Sequence, residues 1–166
     1  MENRSAIMKI SLGKISLVLW LITIAAIGFF MVRGTTADKA ADARTPIFLS
    51  LQEKELVLEE MRTMLQSTQR IIEGTANNDM KQVAAAGRAA GMGSAIDLDP
   101  VFLAKLPLDF KTLGFSMHAD MDAIGKAAEG GADAQEINKM LSNTLLKCVG
   151  CHSTWQISTK ADAGSR

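Results

Sequence analysis

The stretch DAQEINKMLSNTLLKCVGCH, residues 133–152, reads as one amphipathic helix that ends in a cluster of chemically active side chains. Asp133 is a good N-cap, because its carboxylate can accept from backbone N–H groups of the first turn. Glu136 three residues on completes the signature of a capping box. Ile137, Leu141, Leu145 and Cys148 then recur at intervals of three and four, the spacing of one buried helical stripe. Nowhere does the chain alternate with the period of two that a half-buried strand requires. The expected class is therefore all-α.

Three further helical patterns precede this one. From Pro46 to Gly74, Leu58, Met61, Leu65 and Ile72 mark one stripe, with Thr68 filling the gap. Gly74 reads as the stop and Asn77-Asn78 as the turn. A second pattern, Asp79 to about Ala95, is rich in Ala and Gly, which permits close helix approach but weakens the helix itself. Ile96 to Leu106 reads as a crossover loop interrupted by Pro100. The next helix starts at Pro107, a residue tolerated in the first turn. Phe110, Leu113, Met117, Met121 and Ile124 form its stripe, and Gly130-Gly131 ends it. Four one-faced helices with short connections most simply make an antiparallel four-helix bundle, here over residues 46–157, with 158–166 as a flexible tail.

Ile15 to Val32 (ISLVLWLITIAAIGFFMV) carries no charge. At 1.5 Å per residue it spans roughly 27 Å, enough to cross a bilayer core. Residues 1–33 are thus expected to be an uncleaved N-terminal transmembrane helix. A cleaved signal segment is the alternative, with an apolar region normally shorter than this one. Arg4, Lys9 and Lys14 before the run favour a cytoplasmic N-terminus. Residues 34–45 (GTTADKAADART) are small and polar and read as a linker. The expected location is a bacterial inner membrane, single-pass, with the C-terminal domain in the periplasm.

Composition narrows the function. The chain has 18 basic and 18 acidic residues, so no basic excess exists to neutralise phosphates, and no nucleic-acid partner is expected. Tyr is absent and other aromatics are few, which disfavours strands. No Ser/His/Asp set and no Gly-rich loop after a strand is present, so an enzyme is not expected. There are only two cysteines, too few for a disulfide framework.

Those two cysteines lie in Cys148-Val149-Gly150-Cys151-His152, which fits the c-type haem attachment pattern. Two thiols one helical turn apart can reach the two vinyl groups of a porphyrin. His152, adjacent to the second thiol, can present an imidazole nitrogen to the iron. Three rivals share parts of the pattern. A thioredoxin-like pair needs a βαβ context. A zinc site needs four ligands, which Cys148, Cys151, His152 and His118 would supply only by using every Cys and His in the chain. Two buried free cysteines would leave the adjacent His unexplained. One covalently bound haem c is the expected cofactor, and its attachment outside the cytoplasmic membrane agrees with the export segment.

A CxxCH motif on the last helix of a four-helix bundle resembles the cytochrome c′ family, the class II c-type cytochromes, here as a membrane-anchored member. The resemblance covers about Lys54 to Ile157, most specifically NTLLKCVGCHSTWQI (143–157). It implies a haem lying between the helices, with the distal iron position facing the first of them. There Met61 is similar in position to the distal residue and Met64 lies one turn later, while His118 and an open site are the alternatives. A thioether ligand would stabilise ferrous iron, although Met is also a common core filler. Family members commonly carry an aromatic and then a basic residue after the motif. Here Trp155 and Gln156 stand there, so Trp155 can form an aromatic wall but the charge is lost. Arg62 is the substitute partner for a haem propionate, or else a solvated Arg paired with Glu59. The resemblance further implies a homodimer through the first two helices.

The expected function is single-electron transfer by a membrane-tethered mono-haem cytochrome with redox partner proteins at the membrane. Its alternatives are a five-coordinate haem protein that binds NO or CO and a haem-bearing accessory subunit of a membrane complex.

Overall fold

The computed structural model describes residues 12–36, 43–95, 98–159 and Asp162. Its elements run α1 (Leu12–Arg33), β1 (Thr45–Phe48), α2 (Leu51–Ala76), α3 (Met80–Ala89), α4 (Pro100–Lys105), α5 (Leu108–Glu129), α6 (Ala134–Thr154) and β2 (Trp155–Ser158). The chain is mostly helical, with one apolar helix at its N-terminus.

Asp133 is the N-cap of α6 as expected, the Glu136 amide donating to its Oδ1 at 2.8 Å. The start of α2 does not lie at Pro46. Ser50 caps it instead, its Oγ accepting from the Glu53 amide (3.3 Å) while the Ser50 amide donates to Glu53 Oε2 (2.8 Å). Residues Thr45–Phe48 are extended and pair in parallel with Trp155–Ser158, Ile47 opposite Ile157. The all-α expectation is corrected to this extent. Pro46 has no N–H to give a helix and is tolerated in a two-stranded ribbon where every strand is an edge. Two other boundaries also move. Pro100 does not interrupt a loop but opens α4, with Asp99 accepting from the Val101 amide at 2.8 Å. α3 ends at Ala89, and Met92–Ser94 form only a 3-10 turn.

α3 packs against both α2 and α5, α5 against α6, and α6 against α2. Ile71, Val83, Met121, Ile124 and Ile137 are fully buried between them, each worth roughly 1.5–3 kcal/mol of transfer free energy. Gly87 and Gly125 let α3 and α5 touch backbone to backbone: a Cβ on Gly87 would lie 2.7 Å from the Gly125 amide nitrogen. The buried stripe of α2 differs from the expected one. Met64, Ser67, Ile71, Gly74 and Thr75 face inward, and Gly74 is inside the last turn rather than past it. Leu65 and Ile72 are 70% and 51% exposed. Two stripes lie side by side on this helix, and α3 docks on the one whose small residues admit close contact.

A second apolar cluster, Ile47, Leu49, Phe102 and Leu106 with Phe110, Trp155 and Ile157 against it, surrounds the strand pair. α1 touches this cluster only through α4 and α5. Its residues from Gly13 to Arg33 are exposed, and that stretch is long and apolar enough to cross a membrane. In the expected linker, Gly34–Thr36 are bonded to the domain; residues 37–42 lie outside the described residues. Ser158, the first residue of the expected flexible tail, is buried in β2. Lys54 Nζ meets Asp162 Oδ2 at 3.0 Å, while 160–161 and 163–166 lie outside the described residues.

Candidate functional site

α3 has 10 residues against 26 in α2 and 22 in α5. Past Ala89 no helix fills the space between α2, α5 and α6 until α4 closes it. The space is a cavity of about 460 Å³, within the range of small-molecule and cofactor pockets. Its walls are mainly apolar: Met61, Met64 and Leu65 from α2, Phe102 from α4 and Leu106 just after it, and Phe110 and Met117 from α5.

α6 brings Cys148, Cys151 and His152 to this cavity. The thiols are half-buried, one turn apart, with Cys148 Sγ donating to the Thr144 carbonyl at 3.7 Å. Burial pushes the Cys148 thiol up, and burial together with the neighbouring Cys148 raises Cys151 to about 11. Both are therefore protonated at neutral pH. A redox-active thiol pair needs the opposite, a depressed pKa that supplies thiolate. Nor do the zinc ligands assemble: among the described residues no three His, Cys, Asp or Glu side chains stand close enough to share a metal ion. Two neutral thiols and an imidazole bordering an apolar cavity fit the attachment of a largely apolar group.

Met61 and Met64, three residues apart on α2, both line the cavity. Met64 is 8% exposed and belongs to the packed core, whereas Met61 is only half-buried, with its free side toward the cavity. Trp155 does not line the cavity. It stands behind Phe110, ring edge against ring face at 5.7 Å, so any aromatic wall there is Phe110 with Trp155 as its support. Arg62 points away. Its guanidinium meets Glu59 Oε2 at 2.6 Å and Glu55 Oε2 at 3.6 Å with more than half its side chain exposed, the pairing expected of the solvated alternative. α2 turns its Met61 side to the cavity, and the next position falls about 100° round the helix.

His118, the alternative distal ligand, is buried on α5 and lines the cavity. Nδ1 donates to the Ala90 carbonyl at 2.8 Å, an acceptor left free where α3 ends, and Nε2 lies 3.7 Å from Glu60 Oε1. Ser94 Oγ, 3.4 Å from Nδ1 and 3.0 Å from Glu60 Oε1, completes a small polar corner in an otherwise apolar wall. The sequence held one signal for this: position 118 is three residues before Met121 and seven before Gly125, on the face that α3 covers. Nothing in the sequence marked Glu60 or Ser94.

The chain matches no protein-family model, no characterised protein and no solved structure.

Proposed function

We propose that this protein is a membrane-tethered mono-haem cytochrome similar to the cytochrome c′ family, an electron carrier rather than an enzyme. One observation carries the reading: Cys148, Cys151 and His152 of a CxxCH motif border an apolar cavity of about 460 Å³ that Met61 also lines. In this reading α2, α3, α5 and α6 are the members of an antiparallel bundle. The domain sits in the periplasm of a bacterial inner membrane, and redox proteins of that membrane are its partners.

Haem c would supply single-electron cycling between ferric and ferrous iron. Cys148 and Cys151 would hold it through thioethers. His152 would offer the proximal imidazole nitrogen and Met61 the distal thioether. The apolar walls exclude water and so favour the less charged, ferrous state, as does a thioether ligand. His118, oriented by its Nδ1 bond to the Ala90 carbonyl, would be the alternative distal donor through Nε2.

Expression in cells that mature haem c, followed by the optical spectrum of the reduced protein, tests this. Sharp low-spin bands support a Met61-ligated electron carrier. A broad high-spin Soret band would instead indicate an open distal position and a gas-binding protein. A colourless product would sink both.

A further inference from the structure

Gly34–Thr36, the first residues of the expected linker, form a built joint with the domain. Thr35 donates its amide to the Lys105 carbonyl at the end of α4 (2.7 Å) and its hydroxyl to the Phe48 carbonyl in β1 (2.7 Å). The Phe48 amide returns a bond to the Thr35 carbonyl (2.9 Å). Gly34 makes the turn with φ +61°, and a Cβ there would collide with the Lys105 carbonyl and lie 2.6 Å from the Pro107 nitrogen. Only glycine accepts both that backbone geometry and that contact.

Lys111 fixes the depth of this joint. Its ammonium donates to the Met31 carbonyl at 2.8 Å, taking up one of the free carbonyls at the end of α1. Met31 belongs to the uncharged Ile15–Val32 run, so its carbonyl marks the edge of the hydrocarbon if α1 spans the bilayer. The first turn of α5 is therefore level with the headgroups. Leu108 shares a helix face with Lys111, three residues away, and is 47% exposed. Val101 on the adjoining α4 is 65% exposed. Lys111 also lines the cavity, as do Leu103, Leu106 and Phe110 around it. α4 and the start of α5 are thus the cavity wall and the anchor seat at once.

We infer that the bilayer is a docking surface for this domain: α4 and the first turn of α5 rest in the headgroup layer, and the cavity is held at the membrane face. The occupant of the Val101–Leu108 patch is the boundary between lipid headgroups and acyl chains. Asp99 and Asp109 border the patch, and Asp99 is already engaged in capping α4. The inference rests on the proposed reading of α1 as a membrane anchor and names the kind of partner: electrons would be exchanged with a component embedded in the same membrane.

The test uses the full chain matured with haem and reconstituted in phospholipid vesicles, with single substitutions Leu108→Cys, Val101→Cys and Asn77→Cys. Asn77 follows α2, whose 26 residues put it about 39 Å from the α4 end of the domain. A polyethylene-glycol maleimide too bulky to enter the headgroup layer reports thiol access. Residues 101 and 108 should react at least about tenfold more slowly than 77, as expected for side chains seated several ångströms into the interface. A flexible Gly-Ser spacer inserted between Arg33 and Gly34 should abolish the difference without changing the haem spectrum. Equal rates at all three positions in the unspaced protein would overturn the inference, as would protection that survives the spacer. Failures of the underlying reading show elsewhere: a chain that does not float with the vesicles is not anchored, and three labels per chain instead of one mean that Cys148 and Cys151 hold no haem.

Discussion

Met61 and Met64 separate packing from ligation, because they sit three residues apart on one helix in different surroundings. Met64 is 8% exposed and packed within the core. Truncating a Met in such a place to Ala costs about 2–5 kcal/mol, transfer plus cavity. For a folded domain of this size 1 kcal/mol lowers Tm by about 4 °C, so Met64→Ala should lose roughly 8–20 °C. Met61 is half-buried against a cavity that already exists, so its truncation forfeits about half of a full Met burial, or about 1 kcal/mol. Met61→Ala should therefore shift Tm by only about 4 °C yet convert a low-spin spectrum to a high-spin one and lower the reduction potential. Met64→Ala should leave the spectrum unchanged. The assays are thermal unfolding followed by helical circular dichroism and the reduced optical spectrum of each variant. If Met61→Ala keeps its low-spin bands while Met64→Ala loses them, the reasoning that cavity exposure selects the ligand is wrong.

Acid sensitivity should concentrate where α2 begins. The hydrogen bond from Lys105 (2.5 Å) chiefly, and then the Ser50 amide, hold Glu53 below its ordinary 4.5. Hydrogen bonds from the Thr159 amide and Lys54 bring Asp162 to about 2 from 3.8. Carboxyls depressed on folding stabilise fully above their ordinary values, and that contribution is lost as pH falls through the folded ones. Stability should thus decline from near pH 4.5 toward 2, with a shallower slope in Glu53→Gln and Asp162→Asn; unchanged slopes in acid titrations by circular dichroism would refute this. His118→Phe leaves the Ala90 carbonyl without its donor and should cost about 1–3 kcal/mol with an unchanged haem spectrum; a changed spectrum at unchanged stability would make His118 the iron ligand. Gly87→Ala pushes a methyl into the α5 backbone and should cost about 1–3 kcal/mol in denaturant unfolding, and a neutral result would mean that α3 and α5 do not cross where described.

Long helices with caps were the most legible parts of the chain. α6 and α5 lie within a residue or two of their sequence boundaries because Asp133 and Pro107 are strong start signals. Other signals were present but outweighed. Ser50-x-x-Glu53 is a capping box, and Asp99-Pro100 is an N-cap followed by a first-turn proline, yet Pro46 and Pro100 drew the boundaries. The strand pair was not legible in principle. Four residues are too few to show a period, and their partner lies 110 positions away. The burial of Met64 over Leu65 is a tertiary choice, made where Gly87 and Gly125 draw α3 and α5 together and α3 settles on α2. At the site the CxxCH run was plain in the sequence. The cavity beside it was not, since it exists only because α3 stops at Ala89 and leaves its place unfilled.

The most direct test of the account is the intact mass of the full chain purified from cells competent to mature c-type cytochromes. The expected mass is increased by one haem, with no thiol left to alkylate. An unshifted mass with two alkylatable cysteines would contradict it.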